Sequence, residues 1–239
     1  ITALLQRNKE KHSKTEKDYL EIAKGIITNQ HLSGTGDEIQ PGDFAHLHIA
    51  SLTSTSWVGN LLGDFPVDAN RLDSDLLLGW RLHQKVDVMV DKHEASLLFR
   101  AMERKGRRRF AGIVQDITMD YWLIQNWPQF SSVPLDVFCE QAVAGLVKDK
   151  SRSPERLRNM ISSLEHDNWL SNLGTLDGVD RAIRSIMRRW KHGAHLQGFI
   201  DDLPNVVAQA EAPFLALYPD LLDYVEQEMK KAEATHSLG

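Results

Sequence analysis

Between Asp43 and Asp120 the chain sets histidines and aspartates into segments that otherwise read as apolar helix. The segments run DFAHLHIASL, WVGNLLGDF, LGWRLHQKVDVMVD and QDITMDYW. The groups at issue are His46, His48, Asp64, His83, Asp87, Asp116 and Asp120. Such side chains are costly to bury unless they pair with one another or hold a metal. A fold built on these segments must therefore turn them to water or bring them together. Their recurrence within one stretch points to the second outcome and to a metal-dependent hydrolase.

The remaining pattern is helical. SSVP precedes LDVFCEQAVAGLVKD, a loop followed by a helix of about 14 residues. Ser153 and Pro154 open another helix, since proline suits a first helical position. Its Leu157, Met160, Ile161 and Leu164 recur at helical spacing. Asp177 leads into GVDRAIRSIMRRWK, and helices are expected over Phe199–Val207 and Phe214–Met229, with Pro204, Pro213 and Pro219 as punctuation. Alternating Val/Ile runs are scarce, and no internal repeat or Gly-rich phosphate loop is visible. The expectation is an all-α helical globule.

The 239 residues can bury a sizeable core, and 42% hydrophobic with 26% charged residues is ordinary globular composition. A first boundary is expected near residue 42. Residues 3–29 read as one helix, and residues 30–43 supply three glycines and one proline, a linker composition. The expected division is an extension over 1–42, a catalytic domain over 43–232 and a tail over 233–239. Opening on Ile1 rather than Met, the start reads as trimmed or processed. The net charge of -5 argues against general nucleic-acid binding, and no membrane-length apolar run or signal peptide is evident. With a single cysteine, Cys139, there is no internal disulfide, and a cytoplasmic location is the default.

Spacing sharpens the chemistry. His83 and Asp87 are four apart, as are Asp116 and Asp120, so each pair shares a helix face. His46 and His48, two apart, would share a side only in extended chain. Mixed nitrogen and oxygen ligation suits manganese, iron, zinc or magnesium with open water positions. Such a site lowers the pKa of bound water and neutralises charge on a phosphoryl oxygen. A carboxylate off the metal could act as general base. The only His-Asp doublet, His166-Asp167, stands far from the other candidates and reads as a surface feature, although helical phosphohydrolases of the HD type use such a doublet as ligands.

Cations concentrate in two places. FRAMERKGRRRF holds Arg100, Arg104, Lys105, Arg107, Arg108 and Arg109 against Glu103 alone, and IMRRWKHG adds Arg188, Arg189 and Lys191. A solvated face, a nucleic-acid patch and a docking surface for an acidic protein all remain open from these residues alone.

The segments FAHLHIASL, GNLLGDF, LHQKVDVMVD and MDYWLIQNW, followed in order by NWLSNLGTLDGVDRAIRSIMRR and FLALYPDL, resemble the acyl carrier protein phosphodiesterases. The resemblance runs from about Phe44 to Tyr224 and leaves 1–42 outside, because family members typically start at the Phe44 position. It implies a helical fold distorted from the HD phosphohydrolases and a divalent metal, manganese foremost, with magnesium or iron as alternatives. It also implies removal of 4′-phosphopantetheine from holo acyl carrier protein. Asp64 matches the acid of the family's GNLL-x-DF motif, and His46 and His48 match its His-Leu-His. His83 with Asp87, and Asp116 with Asp120, match the acids and histidine of two further segments. Tyr121 stands where a family histidine is expected. Asp64, His83 and Asp120 are the catalytic expectation. Arg104, Lys105, Arg107, Arg108, Arg109, Arg188 and Arg189 are expected to meet the carrier protein, which is strongly acidic as a class. An HD-like hydrolase of another phosphodiester, or a carrier-binding module without catalysis, are the alternatives.

Overall fold

A computed structural model describes residues 40–103, 106–165 and 169–236. The helix expected over 3–29, most of the 30–43 linker, Arg104, Lys105 and the His166-Asp167 doublet lie outside the described residues. Among the described residues every regular element is helical. In order they are α1 (Asp43–Thr53), α2 (Trp57–Leu61), α3 (Ser74–Lys92), α4 (Glu94–Met102), α5 (Ala111–Gln125) and α6 (Trp127–Phe130). The chain continues with α7 (Leu135–Lys148), α8 (Glu155–Leu164), α9 (Trp169–Asn172), α10 (Leu176–Arg189), α11 (Gln197–Ile200) and α12 (Leu203–His236). Short 3₁₀ turns join several of them, notably Leu62–Asp64.

α1 is the central element. Phe44, His46, Leu47, His48, Ile49 and Ala50 are all buried. A stretch buried on nearly every side belongs in a core, and the last turn, with Leu52 half exposed, reaches the surface. Phe44 packs edge-on against Trp127 of α6 and Phe138 of α7, at centroid distances of 5.7 and 5.4 Å. α2 lies directly on α3 because glycines face each other there. A Cβ on Gly59 would come within 2.8 Å of the Leu76 carbonyl oxygen, and one on Gly79 within 2.8 Å of the Gly59 carbonyl carbon. α3 buries Leu76, Gly79, Leu82, His83 and Val86, one face at three- and four-residue spacing. Its N-terminus is tied by Arg152, which bonds Asp73 at 2.8 Å and Asp75 at 2.6 Å.

Two expectations are corrected at the C-terminal end. Phe199–Val207 is two elements, α11 and the start of α12, separated at Asp201 and Asp202. The prolines do not interrupt the last helix, for α12 continues through Pro213 and Pro219. Each interior proline costs about 3 kcal/mol. Against that, Val206, Val207, Ala210, Phe214, Leu217, Tyr218, Leu221 and Val225 are all buried along one stripe. Burying a Val, Leu or Phe contributes roughly 1.5–3 kcal/mol each, so packing outweighs the two prolines. The helices expected at Leu135, Pro154 and Asp177 form as α7, α8 and α10.

Candidate metal centre

Three elements bring side chains to one point: α1 with His46, the Leu62–Asp64 turn with Asp64, and α3 with His83 and Asp87. His46, His83 and Asp87 each offer a ligand atom, all within 4.8 Å of one another. The imidazoles of His46 and His83 stack with centroids 3.8 Å apart and planes 15° from parallel. Asp87 reaches both, its Oδ1 3.3 Å from His46 Nε2 and its Oδ2 3.2 Å from His83 Nε2. Asp64 Oδ1 stands 3.7 Å from His83 Nε2. Both rings are buried, while Asp87 is partly exposed and opens the cluster to solvent.

The position of His83 is set by two features that its own helix does not supply. Its Nδ1 lies 2.6 Å from the Asn60 carbonyl oxygen. A proton on Nδ1 donates there and leaves Nε2 as the lone-pair nitrogen facing Asp64 and Asp87, the arrangement that metal-binding histidines use. The Asn60 side chain in turn donates to Thr55 Oγ1 at 2.8 Å and the Ser56 carbonyl at 2.9 Å, which fixes the carbonyl's own turn. The second feature is Gly63. A Cβ on it would lie 1.9 Å from His83 Cδ2, so only glycine lets the ring sit against the turn that presents Asp64.

Electrostatics follow from burial among unlike charges. Burial pulls His83 down, but the Asp87 and Asp64 carboxylates outweigh it and hold the imidazole up at about 10. Burial, helped by neighbouring His83, keeps His46 below its ordinary value and so neutral. Asp87 feels the opposite balance: burial raises it, and His83 and His46 more than reverse this, leaving it well below the usual carboxylate range. Asp64 is pushed up, mainly by burial. Without a cation, then, protonated His83 is the charge that faces the carboxylates.

The residues fit a divalent metal. Asp64 Oδ2 is buried and accepts no hydrogen bond, and the approach of Asp87 to His83 Nε2, though close, is not aligned as one. Borderline nitrogen and hard oxygen donors together are the set that manganese, iron or zinc accept.

The other expected groups lie elsewhere. His48 points away from His46, as two positions on a helix must. Its Nδ1 pairs with the Tyr218 hydroxyl at 2.7 Å, and its ring packs against Trp127 at 4.8 Å. Burial pushes it down to about 4. It is a neutral core histidine outside the cluster. Asp120 accepts the Ala45 amide at 3.0 Å on Oδ1 and the Gly42 amide at 3.1 Å on Oδ2. It thus holds the amino end of α1, where a carboxylate complements the exposed N–H groups. Burial nonetheless raises it to about 7. Asp116 is half-buried, and it and His46 both flank Gly42. Tyr121 is half-buried with its ring edge-on to Trp122.

Sequence reasoning missed Asp43. An aspartate opening a helix reads as an end-group, yet this one is 1% exposed and neighbours Asp64. It also missed Asn60 and Gly63, whose roles lie in backbone geometry. The cationic run divides. Arg107 is turned inward, with Nη2 2.8 Å from Glu103, its guanidinium 4.6 Å from the Phe199 ring centre and a bond to the Gly198 carbonyl. The inward turn has a simple cause: Glu103 is a buried acid and requires a cation. Arg108 and Arg109 remain exposed, as is Arg188, while Arg189 is half-buried near the C-terminus of α10. No described helix is long and apolar enough to cross a membrane.

Fold and cluster together define an all-α protein built around a buried histidine–carboxylate centre. The profile of the family described as acyl carrier protein phosphodiesterase matches residues 44–221, and the chain belongs to that family. Acyl carrier protein phosphodiesterases of Photorhabdus laumondii, Klebsiella pneumoniae and Serratia proteamaculans are 29%, 30% and 28% identical to it. Each alignment covers 77% of this chain, and 94%, 97% and 97% of the respective relatives. No solved structure matches the chain.

Proposed function

We propose that this chain hydrolyses the phosphodiester of holo acyl carrier protein, releasing 4′-phosphopantetheine and the apo protein, with a divalent metal held by His46, His83, Asp87 and Asp64. The observation that carries the reading is the convergence of these four side chains in a chain of this family. Manganese is the metal of choice, with magnesium or iron as alternatives, for a set that mixes imidazole and carboxylate. When bound, the cation neutralises phosphoryl charge and acidifies water at the site.

The chain's own groups do the rest. Asn60 keeps the His83 proton on Nδ1, so that Nε2 faces the centre. Gly63 and the turn around it bring Asp64 against the ring. Hydrolysis adds hydroxide to phosphorus and breaks the bond to the carrier serine oxygen, which must gain a proton as it leaves. Asp116, half-buried and, like His46, beside Gly42, offers a carboxyl for that proton. Asp120 serves instead by anchoring α1, which carries His46.

Arg108 and Arg109 form the exposed cationic edge that an acidic carrier protein would meet, beside Leu97, Leu98 and Met102 of α4, which are each more than half exposed. Oppositely charged patches speed encounter and set orientation. Residues 43–232 form the catalytic domain in this reading, acting in the cytoplasm. The test is the mass of holo acyl carrier protein incubated with the enzyme, with and without manganese. Loss of the phosphopantetheine mass only with metal is the expected result. An unchanged mass under both conditions would refute the assignment.

A further inference from the structure

Asp43 is the acid at the centre that the cluster of His46, His83 and Asp87 does not use. The residue is 1% exposed. Oδ2 accepts the Gln40 amide at 2.7 Å, which accounts for one oxygen as an ordinary helix-start contact. Oδ1 is buried and receives no bond from an N–H group. The side chain lies within hydrogen-bonding reach of that of Asp64, whose Oδ2 is likewise buried and receives no bond from an N–H group. Asp64 Oδ1 looks the other way, to His83 Nε2.

Two buried carboxylates side by side repel, and each loses its hydration. His83 Nε2, a basic nitrogen, lies 3.7 Å from Asp64 and is already engaged by Asp87 at 3.2 Å. Two adjoining buried acids, each with an oxygen that no N–H group reaches, are what a hard cation would complete, because such cations take oxygen ligands and leave remaining positions to water.

We propose that Asp43 is a metal-ligating residue, and that its Oδ1 with Asp64 Oδ2 forms an oxygen-only position for a divalent cation adjoining the His46–His83–Asp87 position. The proposal rests on reading this centre as a metal site. It adds a second position, of hard-ion character, to the mixed nitrogen and oxygen one, and gives Asp64 an oxygen on each side.

The experiment is equilibrium titration of metal-free protein with Mn²⁺, counting bound ions by calorimetry and by the paramagnetic signal of free Mn²⁺. Wild type should bind two ions. Asp43→Asn and Asp43→Ser should each lose one of them, or weaken it by tenfold or more, the scale on which altered surroundings change metal affinity. The ion at the histidine cluster should stay. Both variants retain a side-chain acceptor for the Gln40 amide, and circular dichroism checks that the helices persist. A wild type that binds a single ion would overturn the proposal without any variant. So would variants that match wild type in number and affinity, which would leave Asp43 as a helix-start acid sharing a proton with Asp64. A wild type that binds no manganese would overturn the metal reading itself, a result distinguishable from either of these.

Discussion

Gly63→Ala is the smallest change that should dismantle the centre. The added methyl would lie 1.9 Å from His83 Cδ2 and 2.3 Å from its Cγ and Nε2. Carbon atoms rest at about 3.5–4.0 Å, so the imidazole must withdraw by roughly 1.5–2 Å, or the turn carrying Asp64 must move as far. The ring has little room to yield. Its Nδ1 is held at 2.6 Å by the Asn60 carbonyl, and its other face is stacked on His46. Overpacking of this kind costs about 1–3 kcal/mol of stability, which a helical domain of this size survives. Function should suffer more. A misplacement of about 1 Å at reacting groups costs on the order of 10²-fold in rate, and displaced ligand support costs roughly 10–100-fold in metal affinity. The assay pairs manganese calorimetry with the mass assay on holo acyl carrier protein, and thermal unfolding reports the stability cost. Gly112→Ala is the control. A Cβ there meets nothing within 4 Å, and alanine in a helix should stabilise by about 0.5–1 kcal/mol. If Gly63→Ala bound metal and turned over as wild type does, the close approach of turn and ring would not be what forms the site.

The same geometry sets further outcomes. Asp64→Asn should cut turnover by about 10²-fold or more while the helices persist, since it removes a charged oxygen ligand; near-normal rates would make Asp64 structural. Asp120→Asn should do the reverse. One of two amides, Gly42 or Ala45, loses its acceptor, costing about 1–3 kcal/mol in denaturant unfolding, and an unchanged midpoint would remove Asp120 as the anchor of α1. His83 is raised from 6.5 to about 10, so its contribution to metal-free stability is full below pH 6.5 and lost as pH rises through 10. Metal must displace that proton, so manganese affinity should climb across the same window, and affinity independent of pH would contradict the charged His83. Reversing Arg108 and Arg109 to Glu should lower the rate at subsaturating carrier protein and flatten its dependence on salt. Identical salt slopes would exclude this edge and direct attention to Arg188 and Arg189.

The helical fold was legible because burial writes itself as period. Leu157, Met160, Ile161 and Leu164 recur on one face, and all four are buried. The same logic misled at Pro213 and Pro219, where local backbone preference reads as a break. There the decisive quantity is the apolar stripe of α12, which acts only once the helix has a core to lie on. His83 and Asp87 were readable for a local reason too, as i and i+4 of a single helix meet whatever else the chain does. Spacing could not say whether Asp116 and Asp120 share the centre. α5 turns Asp120 to the amides of α1, an alternative that exists only after the two helices have packed.

The features of the site that stayed hidden are contacts between distant segments made by backbone or by the lack of a side chain. The Asn60 carbonyl selects the His83 tautomer, and a carbonyl carries no sequence signature. Gly63 matters for an atom it does not have. Asp43 looks like any acid at a helix start until the turn of Asp64 is folded against it, when one of its oxygens is buried with no N–H group to bond. A centre of this kind is specified less by its ligands than by what forces them together. Histidine and aspartate at helical spacing supply the donors. The glycine and the carbonyl supply the convergence, and Gly63→Ala should weaken the site while leaving every candidate ligand in the sequence.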